Sequence, residues 1–241
     1  MTAFRWPDLH VFVLRALLFF LGSATPACAL SVAPAAVELT PGEATRVELV
    51  FAAGSLAPAI LEFSIVERTA SGPEETRKPP EDSPVKIYPP QIMIPAGKSA
   101  VITLALDLAV RGNGSRSFYL VAEELPVTSR HNGLASGLRF LTRLHVPVHV
   151  DFGGAPKLRA HIESERNILA VRNDGTRYIR FSDLTVTVRL KGSSRRIRIP
   201  GQKLAPLAGS DAILPGRTVS IPLDGLGVEA PAESAVIEPP L

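Results

Sequence analysis

Leu138, Phe140, Thr142, Leu144, Val146, Val148 and Val150 fall on one side of a two-residue period. Arg139, Arg143, His145 and His149 fall on the other. Side chains at i and i+2 share a face only in extended chain, so this run reads as a β-strand with one apolar face. Its 13 residues exceed the usual strand length of about five or six. A strand this long can pair within its own sheet and still have length left to meet something beyond it.

The rest of the chain suits an all-β setting. The 241 residues suffice for one large or two medium domains, and hydrophobic residues at 46 % against charged residues at 20 % indicate a globular chain. The 22 Pro and 18 Gly residues are spread between short apolar runs, as expected where many strands are joined by turns. Strands are predicted over 45–51, 59–67, 100–108 and 117–125, with 69–84, rich in Pro, Gly and charge, as a solvated loop. Asp151-Phe152-Gly153-Gly154-Ala155-Pro156 is the linker candidate, and a second set of short strands follows it. Asn173-Asp174-Gly175 reads as a hairpin turn between two of these. The expectation is an all-β chain with two immunoglobulin-like β-sandwich domains in tandem, residues 30–152 and 153–227, followed by a flexible tail over 228–241.

Residues 1–29 read as an export signal. Arg5 and Arg15 supply positive charge, Ala16–Gly22 is the apolar stretch, and Ala27-Cys28-Ala29 is a small-residue exit. Cleavage after Ala29 would remove the single cysteine, so the mature chain would have neither a disulfide nor a thiol nucleophile. The chain would then not be an integral membrane protein. Loss of Arg5, Arg15 and Asp8 lowers the formal net charge from +3 to +2, a bias too small to point to nucleic acid.

Catalytic chemistry finds no support in these residues. There is no G-x-S-x-G elbow and no H-E-x-x-H helix, and Glu123 and Glu124 point to opposite faces of a strand. Gly97-Lys98-Ser99 resembles the end of a phosphate loop, but Ile92 stands where its first glycine belongs. His145 and His149 read as exposed strand histidines rather than metal ligands, and no cofactor is called for. Arg195-Arg196-Ile197-Arg198 has no interleaved aromatic residue to stack a base, so it reads as a solvated strand edge.

Several blocks resemble the PapD-like periplasmic chaperones of pilus and fimbria assembly. They are Tyr88-Pro89-Pro90 through Pro95-Ala96-Gly97-Lys98-Ser99, Ser117-Phe118-Tyr119-Leu120 through Glu124-Leu125-Pro126, and Leu144 to Val150. Val171-Arg172-Asn173-Asp174-Gly175-Thr176 and Ile213-Leu214-Pro215-Gly216 match in the second half. The resemblance implies a periplasmic, non-enzymatic chaperone that holds a pilus or fimbrial subunit by donor-strand complementation and delivers it to an outer-membrane usher. It implies Leu138, Phe140, Thr142 and Leu144 as the side chains that fill the subunit's groove. Relatives anchor the subunit's terminal carboxylate with a first-strand arginine and a last-strand lysine. Here Ala35 or Ala36 stands at the first position and His145, beside Arg143, at the second, so Arg143 and His145 are the anchor candidates. The alternative reading is an exported structural or adhesive β-sandwich protein of the cell surface.

Overall fold

The computed structural model describes residues 30–54, 57–126, 141–224, 226–228 and 231–238. The export-signal residues 1–29, and Leu138 and Phe140 of the long strand, lie outside the described residues.

Among the described residues the first domain contains ten strands. In order they are β1 (Ser31–Ala33), β2 (Val37–Leu39), β3 (Arg46–Ala52), β4 (Ala59–Ser71) and β5 (Glu74–Lys78). Then come β6 (Val85–Tyr88), β7 (Gln91–Ile94), β8 (Ser99–Leu106), β9 (Ser115–Leu125) and β10 (Arg143–Asp151). One sheet has the order β1-β3-β8-β6 and the other β2-β10-β9-β4-β5, with β7 also pairing β4. The two sheets close on a core that includes Leu39, Leu49, Phe51, Leu61, Ile102, Leu104, Phe118, Leu120 and Val148. Phe51 and Phe63 meet across it with ring centroids 5.1 Å apart.

Alternation along β10 is the one the sequence predicts. Val146, Val148 and Val150 are buried in the core and Leu144 packs against it, while Arg143 and His145 face out. Each fully buried valine is worth about 1.5 kcal/mol or more, which fixes the register, because a slip of one residue would turn the whole set outward.

The second domain contains β11 (Leu158–Glu163), β12 (Ile168–Asn173), β13 (Ile179–Arg180), β14 (Thr185–Leu190), β15 (Arg196–Pro200), β16 (Ala212–Ile213), β17 (Thr218–Pro222) and β18 (Ala232–Glu238). They form sheets β11-β12-β17, β13-β16 and β15-β14-β18 around a core that includes Leu169, Phe181, Val186, Val188, Ile213 and Ile221. A single helical turn, Gly201–Leu204, follows β15. No helix among the described residues is long and apolar enough to cross a membrane.

Three expectations need correction. Residues 232–238, placed in a flexible tail, form β18, which pairs with β14 and buries Ala232; their alternation Ala232, Ser234, Val236 is too weakly apolar to read as a strand. Residues 69–78, placed in a solvated loop, extend β4 and add β5, whose pairing joins mostly polar residues such as Arg68↔Arg77 and Thr69↔Thr76. Asn173-Asp174-Gly175 does not close a hairpin between β12 and β13, which do not pair. Instead the buried Asn173 side chain accepts from the N–H groups of Lys157 and Gly175 and donates to the carbonyls of Arg177 and Ile213.

Ending the chain after Pro231 removes β18 and uncovers one edge of β14. The expected result is a loss of about 2 kcal/mol or more, from ladder hydrogen bonds and uncovered apolar surface. Differential scanning calorimetry should show it as a lower midpoint for the second domain, and an unchanged midpoint would deny β18 a part in that core.

Candidate functional site: a free strand edge beside an interdomain cleft

β10 is flanked unequally. On one side β9 covers its whole length, from Arg143↔Glu123 to Asp151↔Ser115. On the other, β2 runs parallel to it only at Val148, His149 and Val150. Among the described residues, no strand lies against that second side of Arg143–Pro147. The Thr142 carbonyl accepts from the Glu124 N–H at 2.9 Å, so the backbone of Thr142 points toward β9. Antiparallel alternation then turns the N–H and C=O of Arg143 and His145 to the uncovered side. Pro147 presents only a carbonyl there.

This edge borders a cleft of about 390 Å³ between the two domains. Arg68, Tyr119, His145 and His149 line it from the first domain, and Tyr178, Arg180 and Asp211 from the second. Tyr119 is packed between charges, with the Arg68 and Arg77 guanidinium carbons 4.2 and 4.9 Å from its ring centre. His145 meets the same ring edge-on at 5.4 Å.

The domains are joined at the back of the cleft by a neutral contact. The His149 ring stacks on Tyr178 at 3.9 Å and 11°. His149 Nδ1 lies 2.8 Å from the Ser117 hydroxyl. Ser115 holds the same segment, its N–H donating to the Thr176 carbonyl at 2.8 Å and its hydroxyl accepting from the Tyr178 N–H at 2.7 Å. Arg177 adds an ion pair to Asp151 at 2.7 Å. Gly114 permits this approach: it has φ +85°, and a Cβ there would stand 2.1 Å from the Thr176 carbonyl oxygen.

Burial dominates the electrostatics. It pushes His149 down from 6.5 to about 3, helped by Arg68 and Arg180. Burial, then Glu38, pushes the Tyr178 hydroxyl well above its ordinary value. His145 is also lowered, by burial and then by Arg77 and Arg143. Both imidazoles are therefore neutral at pH 7.

Of the residues picked from sequence, Thr142 directly precedes β10 and is half-buried, and Leu144 lies near the start of β10, leaning on the chain's own core. Arg143 is exposed and already holds Glu123 at 2.6 Å. His145 lines the cleft beside Ala36. His149, expected on an exposed face, is buried because the second domain covers it. Arg68 and Arg180 were not foreseen. Arg68 falls on the row of β4 opposite its core face, with Glu62 and Ser64, and nothing in its sequence neighbours announces that it is buried. Among the described residues, no group of three or more His, Cys, Asp or Glu side chains is placed to hold a metal ion.

No protein-family model matches the sequence, and no curated protein matches it either. Solved structures do match by shape. The class 5 fimbriae chaperone CfaA aligns with a TM-score of 0.55 at 12 % identity, over 88 % of this chain and 99 % of that one. The Salmonella enterica SafA pilin in complex with the SafB chaperone gives 0.55 at 13 % identity, over 90 % and 98 %. The CsuC–CsuE chaperone–tip adhesion subunit complex of the archaic chaperone-usher Csu pili of Acinetobacter baumannii gives 0.53 at 15 %, over 81 % and 91 %. The fold is that of the PapD-like pilus chaperones. Within it, among the described residues, the edge of β10 over Arg143–Pro147 has no neighbouring strand and borders the cleft.

The His149 shift has a consequence for stability. Between pH 6.5 and about 3 the unfolded chain binds a proton on this residue and the folded chain does not. Stability therefore falls as pH drops through that window, by about 5 kcal/mol in all. His149→Phe keeps a ring against Tyr178 and removes the titration, so urea unfolding across pH should show a flatter profile for the variant. An equal slope in both proteins would mean that His149 is not buried neutral.

Proposed function

We propose that this chain is a periplasmic, non-enzymatic chaperone that binds pilus or fimbrial subunits by donor-strand complementation and passes them to an outer-membrane usher. The observation that carries the reading is the uncovered edge of β10 at Arg143 and His145, in a chain with the fold of chaperones solved with pilin and tip subunits. A subunit with an empty strand position in its own sandwich would add to this edge through main-chain hydrogen bonds. Apolar side chains on alternate residues would enter its groove, with Leu138, Phe140 and Thr142 foremost. Leu144 supports the same row but shares itself with the chaperone's own core.

A subunit carboxylate that reached the cleft would meet Arg68 and Arg180 as well as the sequence-derived candidates Arg143 and His145. Arg180 is half exposed and holds Asp183 at 3.1 Å, a surface pair of small net worth that a better partner can displace. Arg180→Gln is expected to weaken subunit binding about tenfold, the value of one charge-assisted hydrogen bond, in a calorimetric titration. Unchanged affinity would take Arg180 out of the site.

The reading as a whole is tested by purifying the tagged chain from the periplasm with what accompanies it. The expected companion is a stoichiometric small all-β subunit lacking its last strand. His145→Pro removes an outward N–H without touching the β9 ladder, and Phe140→Asp places a charge in the groove. Both folded variants should lose the companion. Retention by both would overturn the strand-addition reading.

A further inference from the structure

The turn between β4 and β5 reaches out of the first domain. The Gly72 N–H donates to the Gly216 carbonyl at 2.9 Å, and the Thr218 N–H donates to the Gly72 carbonyl at 2.6 Å. Gly72 and Arg217 thus form a parallel bridge at the start of β17. Ala70 packs beside it against Tyr178, Ala212 and Leu214. The backbones meet closely: Gly216 has φ +77°, and a Cβ there would lie 2.7 Å from the Ala70 carbonyl oxygen.

Behind the bridge sits Glu75, with its side chain 10 % exposed. Its carboxylate accepts Arg68 Nε and Nη2 at 3.0 and 2.9 Å, Arg77 Nε at 3.0 Å and, from the second domain, Arg217 Nη1 at 3.4 Å. Arg217 Nη1 also donates to the Ala212 carbonyl at 3.3 Å, which fixes its place in the second domain. One buried acid is therefore shared by three guanidinium groups from two domains, and its removal would leave Arg68 and Arg217 uncompensated. The same Arg68 forms part of the cleft wall.

Two features make this contact matter for shape. The covalent link holds Gly153 and Gly154, both at positive φ, and such a link does not fix an angle by itself. Domains joined by a small polar interface move relative to one another by default. The seam at His149 and Tyr178 supplies one attachment, and the β4–β5 turn supplies a second, on a different strand pair. Two attachments, one at β10 and one at the β4–β5 turn, define an angle where one allows a swivel.

We propose that the Gly72 bridge and the shared Glu75–Arg217 contact form a clasp that fixes the angle between the two domains and so sets the gape of the cleft. This holds whatever the cleft binds. The test is the distance distribution between spin labels on Glu48→Cys and Arg195→Cys, exposed sites on opposite domains, in the full chain with Cys28→Ser. Glu75→Gln and Arg217→Gln should each roughly double the width of the distribution. Arg77→Gln, which loses only a first-domain partner, should leave it unchanged. If Glu75→Gln unfolds the first domain, Arg217→Gln decides alone, since it leaves Arg68, Glu75 and Arg77 together. An unaltered distribution in Arg217→Gln, or equal broadening in Arg77→Gln, would overturn the clasp.

Discussion

Three residues of parallel pairing decide what the first domain offers to its surroundings. β1 belongs to one sheet, through Ala33↔Val50, and β2 to the other, through Val37↔Val148. Pro34, Ala35 and Ala36 are spent on the crossing between them. In a parallel register those are the residues that would otherwise lie beside His145, Val146 and Pro147. The crossing thus does two things. It stitches the two sheets together at one edge of the sandwich, and it leaves the backbone of β10 uncovered where its side chains are already turned toward an apolar interior. A β2 extended backward by four residues would make the same sequence an ordinary closed sandwich.

The joint between the domains is built from groups with opposite costs. At the back of the cleft, His149, Ser117 and Tyr178 are neutral, so burying them requires hydrogen bonds but no counter-ion. At the β4–β5 turn the buried groups are charged, and a carboxylate held below its usual range by Arg68, Arg77 and Arg217 against the opposing effect of burial is the result. The neutral seam weakens as acid protonates the unfolded histidine. The charged one depends on Glu75 remaining ionised, which its arginines favour. Orientation of the domains therefore rests on two contacts that respond to different conditions.

Much of the architecture was legible because burial in a sandwich has a period of two. β3, β4, β8, β9 and the described part of β10 announced themselves through runs such as Val47-Leu49-Phe51 and Val146-Val148-Val150. β5 and β18 did not, because edge strands bury little: of Glu74–Lys78 all but Glu75 are exposed, and β18 fully buries only Ala232. The site was half legible. Sequence pointed to the edge strand, since Arg143 and His145 alternate against its apolar row. It gave no sign of Arg68, which Glu75 and Tyr119 hold from other strands, or of the burial of His149, which depends on the second domain, since no local pattern encodes a contact between residues 149 and 178. Asn173 shows the same limit from the other side: Asn-Asp-Gly is good turn chemistry, yet the carbonyls that satisfy its amide come from Arg177 and Ile213.

An uncovered strand edge is a hazard as well as a tool, since it pairs with any extended chain. Here the hazard is limited by what the edge lacks. Pro147 gives it no donor at one end, so a long partner strand cannot complete its ladder there. Arg143 and His145 place polar side chains on the face beside it, and Arg143 is held by Glu123 on the neighbouring strand. A chain pairing indiscriminately would gain a few main-chain hydrogen bonds and little buried apolar surface. A partner with a groove open to the other face would gain both, because the apolar row of the strand then passes from one core into the next. Selectivity on this edge is therefore a matter of shape and hydrophobic burial, with the backbone bonds common to every competitor.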